Sequence, residues 1–295
     1  MISVLIPTYN YNVFPLVSIL FEQLEKSTVS FEIICLDDGS EKFHSENQQT
    51  NFLNNCSYSI LEKNIGRSAI RNLLAKKAKF ENLLFLDADV IPVSENFIST
   101  YLSHINSEEK AVYGGLKYQT EKPEAKLLFR WTYGKKREAI SLEKRELNPY
   151  PSFLTNSFLI KKMIFESIQF NEKLINWGHE DTLFSFNLRE NKIKILHIDN
   201  PVIHHGLEDT ATFLNKNQEA IKGLISLTEN ELIDKNYVKL SKFYTFLEKY
   251  KLNKVYLFFY KIMKPVFLNQ LNSKKPSLLL FDLYRLGLFC DLKSN

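Results

Sequence analysis

The sequence predicts an α/β protein with a doubly wound, mostly parallel sheet and a helical C-terminal extension. Three observations carry this expectation. Short apolar runs bounded by turn residues recur at residues 3–7, 31–36, 58–61 and 83–86, the pattern of strands buried on both faces. Helical spacing of apolar residues fills the intervals between them. Pairs of aspartates follow the second and fourth runs, Asp37-Asp38 and Asp87-Ala88-Asp89, where open sheets of this kind bind ligands, beyond the carboxyl ends of the strands.

Taken in order, the run at 3–7 leads into a helical pattern over 14–25. The run at 31–36 precedes a polar stretch over 44–55. After 58–61 comes a helix over 67–79, in which Ile70, Leu73 and Leu74 fall on one face with Ala78 a turn later. The resulting βαβαβαβ order predicts right-handed crossovers. Beyond Pro92 the pattern loosens into a strand over 111–118, a charged excursion over 121–151, a strand over 156–160, a helix from about Glu180 and a half-buried strand over 192–198. A composition shift near residue 230 separates a domain over 1–230 from an extension over 231–295.

At 295 residues, 44% hydrophobic and 24% charged, with 9 Gly and 9 Pro, the chain is long enough to bury a core without disulfide or metal staples, and collagen-like or disordered classes are excluded. Cys35, Cys56 and Cys290 are too widely spaced for a disulfide framework or a paired-Cys zinc site. A reducing cytoplasm is the expected setting, since the first residues lack a secretory pattern and no apolar run reaches membrane-spanning length. The net charge of +4 is uneven: residues 235–295 carry 12 Lys and Arg against 3 acids, a balance of +9, together with 13 of the 39 aromatics. Such interleaving at helical spacing suits a membrane surface or a partner helix better than single-stranded nucleic acid, so no nucleic-acid partner is expected. Packing of these rings as a helical cap, with the lysines merely solvated, is the other reading.

Asp87 and Asp89 directly follow a buried run, and hard oxygen ligands at that place suit Mg²⁺ or Mn²⁺, although the same pair also suits a turn cap. Neither a Gly-x-Gly-x-x-Gly turn nor a Gly-x-x-x-x-Gly-Lys loop is present, so a phosphate ligand would need a metal in place of a backbone cradle. Asp38 could accept from a base or a ribose, or simply close an Asx turn with Gly39. Arg67 and Arg71 lie one turn apart at the start of a helix and can reach a phosphate or a base. In Trp177-Gly178-His179-Glu180-Asp181 the two acids suit the first turn of a helix, but a neighbouring Trp offers a stacking surface for a sugar ring. Asp181 is then a candidate general base, with Glu180 on the acceptor.

The ordered set Ile2-Ser3-Val4-Leu5-Ile6-Pro7-Thr8-Tyr9-Asn10, Asp37-Asp38-Gly39-Ser40, Asn64-Ile65-Gly66-Arg67-Ser68-Ala69-Ile70-Arg71-Asn72, Asp87-Ala88-Asp89 and Trp177-Gly178-His179-Glu180-Asp181 resembles the motifs of family 2 glycosyltransferases of the GT-A fold, over about residues 1–210. The last motif is similar to that of chondroitin-polymerase-like and galactosyltransferase-like enzymes. The resemblance implies inverting transfer from a nucleotide-diphospho-sugar, UDP-sugars first, to an acceptor hydroxyl in polysaccharide, glycolipid, O-antigen or capsule-type glycan synthesis. It implies nucleotide-sugar contacts from Pro7, Thr8, Tyr9, Asp38, Asn64, Arg67, Arg71, Asp87 and Ala88, and acceptor contacts from Trp177, Gly178 and Glu180. The metal would sit on Asp87 and Asp89 with a later His, either His204 or His205. The rival expectations are a metal-dependent nucleotidyltransferase or pyrophosphate hydrolase on the same carboxylates, and a non-catalytic binding subunit that keeps the fold.

Overall fold

A computed structural model describes residues 1–174 and 178–294 of the chain. In chain order its elements are β1 (Ile2–Thr8), α1 (Phe14–Glu25), β2 (Phe31–Asp37), α2 (His44–Gln48), β3 (Cys56–Ile60), α3 (Arg67–Lys77), β4 (Asn82–Leu86), β5 (Val90–Pro92), α4 (Phe97–Leu102), β6 (Lys110–Tyr113), β7 (Leu116–Lys117), α5 (Leu128–Tyr133) and α6 (Leu142–Leu147). There follow β8 (Ser157–Lys161), α7 (Lys162–Ile168), α8 (Glu180–Glu190), β9 (Lys194–His197), β10 (Val202–His204), α9 (Thr210–Glu229), α10 (Lys239–Lys249), α11 (Asn253–Leu271) and α12 (Leu278–Ser294). The chain divides into two compact units, each discontinuous: Met1–Gln119 with Glu138–Lys173 and Phe184–Gly206, and Thr120–Arg137 with Leu174–Leu183 and Leu207–Asn295.

The first unit holds both sheets. Its seven-stranded sheet has the order β3-β2-β1-β4-β8-β6-β9. β1 to β4 are mutually parallel, and β8 runs antiparallel to both β4 and β6. Thr8 pairs with Asp37, and Asp37 with Ile60, so the carboxyl ends of the parallel strands gather at one edge. The apolar runs are buried on both faces as their composition requires. Phe85 of β4 stacks on Phe158 and on Phe165, each at 4.9 Å between centroids, while α3 presses Ile70, Leu74 and Ala75 into the same core. Lys76 and Lys77 occupy the last turn of α3, the placement that favours cations at a helix C-terminus.

The expected strand over 111–118 is two strands in different sheets. Gly114 and Gly115 break it: a Cβ on Gly114 would lie 2.3 Å from the Asn200 carbonyl oxygen, and Gly115 has φ +101°, a conformation other residues rarely adopt. Buried Arg145 of α6 braces the break, donating to the carbonyls of Tyr113 and Ile198. The second piece, β7, joins a small sheet of order β5-β10-β7.

The second unit is helical. Phe129 of α5, Phe213 of α9 and Phe281 of α12 meet edge to face at 5.3 and 4.9 Å. The α11 and α12 helices approach closely because Gly287 has no side chain: a Cβ there would lie 2.1 Å from the Tyr260 ring. No described helix is long and apolar enough to cross a membrane.

Candidate active site

At the ligand edge of the main sheet, three loops are knitted together by acids. Asp37 is fully buried; its Oδ1 accepts from the Ser40 N–H at 2.8 Å and its Oδ2 from the Tyr58 hydroxyl at 2.5 Å. Ser40 Oγ in turn accepts from the Asn10 N–H at 2.7 Å, tying the loop after β1 to the loop after β2. Asp38 clasps the loop before α3, accepting from the N–H groups of Ile65 and Gly66 at 2.7 and 3.0 Å. Burial raises the Asp38 pKa, the two N–H bonds work against this, and Asp37 adds to the rise. Each carboxylate oxygen has a second lone pair, so Asp38 can hold the loop and still face a ligand. Thr8, buried at the end of β1, has a hydroxyl with no hydrogen-bond partner, while Tyr9 is exposed beside it. Asn64 and Arg67 are exposed on the neighbouring loop and helix start.

The Asp-Ala-Asp turn follows β4, and its two acids have different partners. Asp87 is paired with Arg71, Nη2 to Oδ1 at 2.6 Å, and the Arg71 guanidinium lies over the Phe170 ring. Arg71 thus braces the first acid of the turn. Ala88 is buried between the two. Asp89 Oδ2 meets His204 Nε2 at 3.2 Å. Burial works to raise the Asp89 pKa, but the hydrogen bond and proximity of His204, with the charge of Arg67, outweigh it and hold the carboxyl below its ordinary value.

The small sheet makes this meeting possible. β10 pairs antiparallel with β5, setting His204 opposite Val90 and therefore beside Asp89. The His205 N–H donates to the Asp89 carbonyl at 2.8 Å, while its ring lies against Gln119. Of the two histidines, His204 presents its imidazole to the carboxylate. Its Nδ1 is buried without a hydrogen-bond partner, and the Tyr118 ring lies 5.4 Å away. Gly206 closes the cradle: a Cβ there would fall 2.0 Å from Asp89 Oδ2. Tyr11 also belongs here, its pKa raised by burial and by Asp89. Sequence reasoning missed Tyr11, Gln119 and Gly206; the signal was their position just after β1, just after β7 and just after the His doublet.

The Trp-Gly-His-Glu-Asp motif is described in the second unit, except that Trp177 lies outside the described residues. Gly178 has φ +94° and passes so close to α9 that a Cβ would lie 2.7 Å from that of Ala220, so glycine is required there on two counts. Burial, and then the charge of Arg285, push the His179 pKa down to about 4, with Glu180 opposing. The imidazole is thus neutral near pH 7, with Nδ1 on the Thr182 hydroxyl at 3.0 Å. Glu180 and Asp181 form the first turn of α8, and Asp181 Oδ1 accepts from the Thr182 N–H at 2.7 Å.

Residues 3–169, more than half of the chain, match the family described as glycosyl transferase family 2. The chain belongs to that family. Its fold is the GT-A fold of that family. Among solved structures, the mannosyltransferase PcManGT from Pyrobaculum calidifontis, in complex with GDP-Man and Mn²⁺, aligns with a TM-score of 0.53 at 14% identity, over 77% of this chain and 64% of that one. S. aureus TarS aligns with a TM-score of 0.49 at 20% identity, over 76% of this chain and 42% of that one. The chain thus spans less than two thirds of the length of either. No curated protein sequence matches it significantly.

Proposed function

We propose that this family 2 glycosyltransferase moves a sugar, with inversion, from a nucleotide-diphospho-sugar, UDP-sugars first, to a hydroxyl of a glycan or lipid-linked acceptor in polysaccharide or glycolipid synthesis at the cytoplasmic face of a membrane. Transfer is assigned to residues 1–230, and the membrane contact to residues 231–295. The observation that carries the reading is the meeting of Asp89 and His204 at the ligand edge of the sheet, supported by the close approach that Gly206, lacking a side chain, allows the Asp89 carboxylate.

Among the described residues no cluster of three metal-ligating side chains is preassembled, but a carboxylate and an imidazole in contact are a fitting donor pair for Mn²⁺ or Mg²⁺, leaving positions for diphosphate oxygens. Asp89 and His204 would hold the ion, with Asp87 beside them on its Arg71 brace. When bound, the ion neutralises charge on the departing nucleoside diphosphate as a Lewis acid. Pro7, Thr8, Tyr9, Asp38, Asn64, Arg71, Asp87 and Ala88 line the nucleotide-sugar, the Thr8 hydroxyl and the spare lone pairs of Asp38 serving the base or ribose. Arg67 adds positive charge toward the phosphates. Trp177, Gly178 and Glu180 face the acceptor, and Asp181 takes the proton of the attacking hydroxyl.

A donor screen tests the reading. With Mn²⁺ present, one nucleotide-diphospho-sugar should raise the unfolding temperature by several degrees, because a ligand at about 100 times its Kd stabilises by about 2.7 kcal/mol, and EDTA should remove the gain. If protection comes only from nucleoside triphosphates, the nucleotidyltransferase alternative replaces it.

A further inference from the structure

The two helices α10 and α11 each carry an apolar face that the chain itself leaves uncovered. On α11, Val255, Phe258, Phe259, Ile262 and Val266 fall within an arc of about 100° at 100° per residue. They are 65%, 69%, 43%, 60% and 52% exposed. The buried residues Tyr260, Phe267 and Leu271 turn the other way, toward α12. On α10, Phe243 and Phe246, with Tyr250 at its end, form a second such stripe at 60%, 54% and 56% exposure. Isolated apolar side chains on a surface are ordinary, but contiguous stripes mark a surface that meets another phase or molecule.

The charges beside the stripes choose the partner. Lys254 and Lys261 lie about a quarter turn to one side of the α11 stripe, and Lys242 and Lys249 lie likewise on α10. We propose that α10 and α11 form an in-plane docking face for a bilayer bearing anionic headgroups, with Phe258 and Ile262 entering the acyl boundary and the lysines on the phosphates. This deepens the membrane setting given above and is independent of the transfer chemistry. A second copy of the chain fits the face poorly, because it would set a +9 segment against another. Single-stranded nucleic acid fits poorly too, since Val255, Ile262 and Val266 offer no ring for a base to stack on.

The test is co-sedimentation of the full chain with vesicles of phosphatidylcholine alone, or of equal parts phosphatidylcholine and phosphatidylglycerol. The protein should sediment with the anionic vesicles only, and be released as salt rises. Lys254→Gln with Lys261→Gln should lower the partition coefficient about 25-fold, at about fivefold per lysine. Phe258→Ser with Ile262→Ser should abolish it, since both residues are exposed and the fold does not depend on them. Circular dichroism melting and donor protection by Mn²⁺ and nucleotide-sugar, read on the same samples, should match wild type in both variants. Absence of wild-type sedimentation at low salt, or sedimentation of the variants like wild type, overturns the proposal. So does a dimer that Phe258→Ser with Ile262→Ser disperses, or tighter binding to a single-stranded oligonucleotide than to anionic vesicles. Loss of donor protection alone would count against the transferase reading and leave the docking face standing.

Discussion

Asp89→Ala should abolish Mn²⁺-dependent donor protection and lower transfer by at least about 10²–10³-fold, the scale on which lost stabilisation of developing charge is felt. The small sheet places this carboxylate against an imidazole, and alanine removes that partner from His204. The main core should be untouched, because the turn after β4 contributes none of the stacked rings. At neutral pH the variant should nonetheless melt slightly lower. A carboxyl held below its ordinary pKa stabilises the fold above that ordinary value, and the contribution is lost as pH falls through the lowered one. The melting deficit of Asp89→Ala should therefore shrink in acid. Gly206→Ala is the companion variant: its Cβ would displace Asp89 Oδ2, so donor protection should fall while Asp89 itself remains. Full donor protection in both variants would remove the metal site from the protein.

Asp181→Asn should lower acceptor transfer by about 10²–10⁴-fold, the usual contribution of a general base, with donor affinity within a few fold of wild type. Asparagine keeps the shape and can still accept from the Thr182 N–H, so the start of α8 should persist. The neighbouring His179 is a poor substitute base: it is buried, and its pKa is pushed down to about 4. Initial rates at saturating donor, with donor affinity measured by protection, separate the roles. Collapse of donor affinity with unchanged transfer per bound donor would move Asp181 into the nucleotide site.

Much of the sheet was legible because its information is local. Runs such as Leu83-Leu84-Phe85-Leu86 are buried on both faces and announce themselves by composition, and the paired aspartates sit where those runs end. The tail helices were legible for the same reason, through a 3.6-residue period. What stayed hidden depends on pairings distant in sequence. The small sheet rests on strands of two and three residues, too short for any alternation to register, yet it decides that the imidazole of His204 and not that of His205 meets the Asp89 carboxylate. The partnership of Arg71 with Asp87 is likewise a tertiary fact: helical spacing put Arg67 and Arg71 on one face but carried no information about which would pair with that acid. The break at Gly114-Gly115 was masked by the apolar residues on either side, and the groups that shape it, Asn200 and Arg145, come from segments distant in sequence.

The most direct measurement follows the wild-type protein with the donor that protects it, a hydroxyl acceptor and Mn²⁺, quantifying the nucleotide product and reading the anomeric configuration of the transferred sugar by NMR. The expected result is one nucleoside diphosphate released per sugar transferred, an inverted anomer, no turnover in EDTA and recovery on adding Mn²⁺. Release of nucleoside monophosphate with sugar phosphate, a retained anomer, or full turnover in EDTA would contradict it.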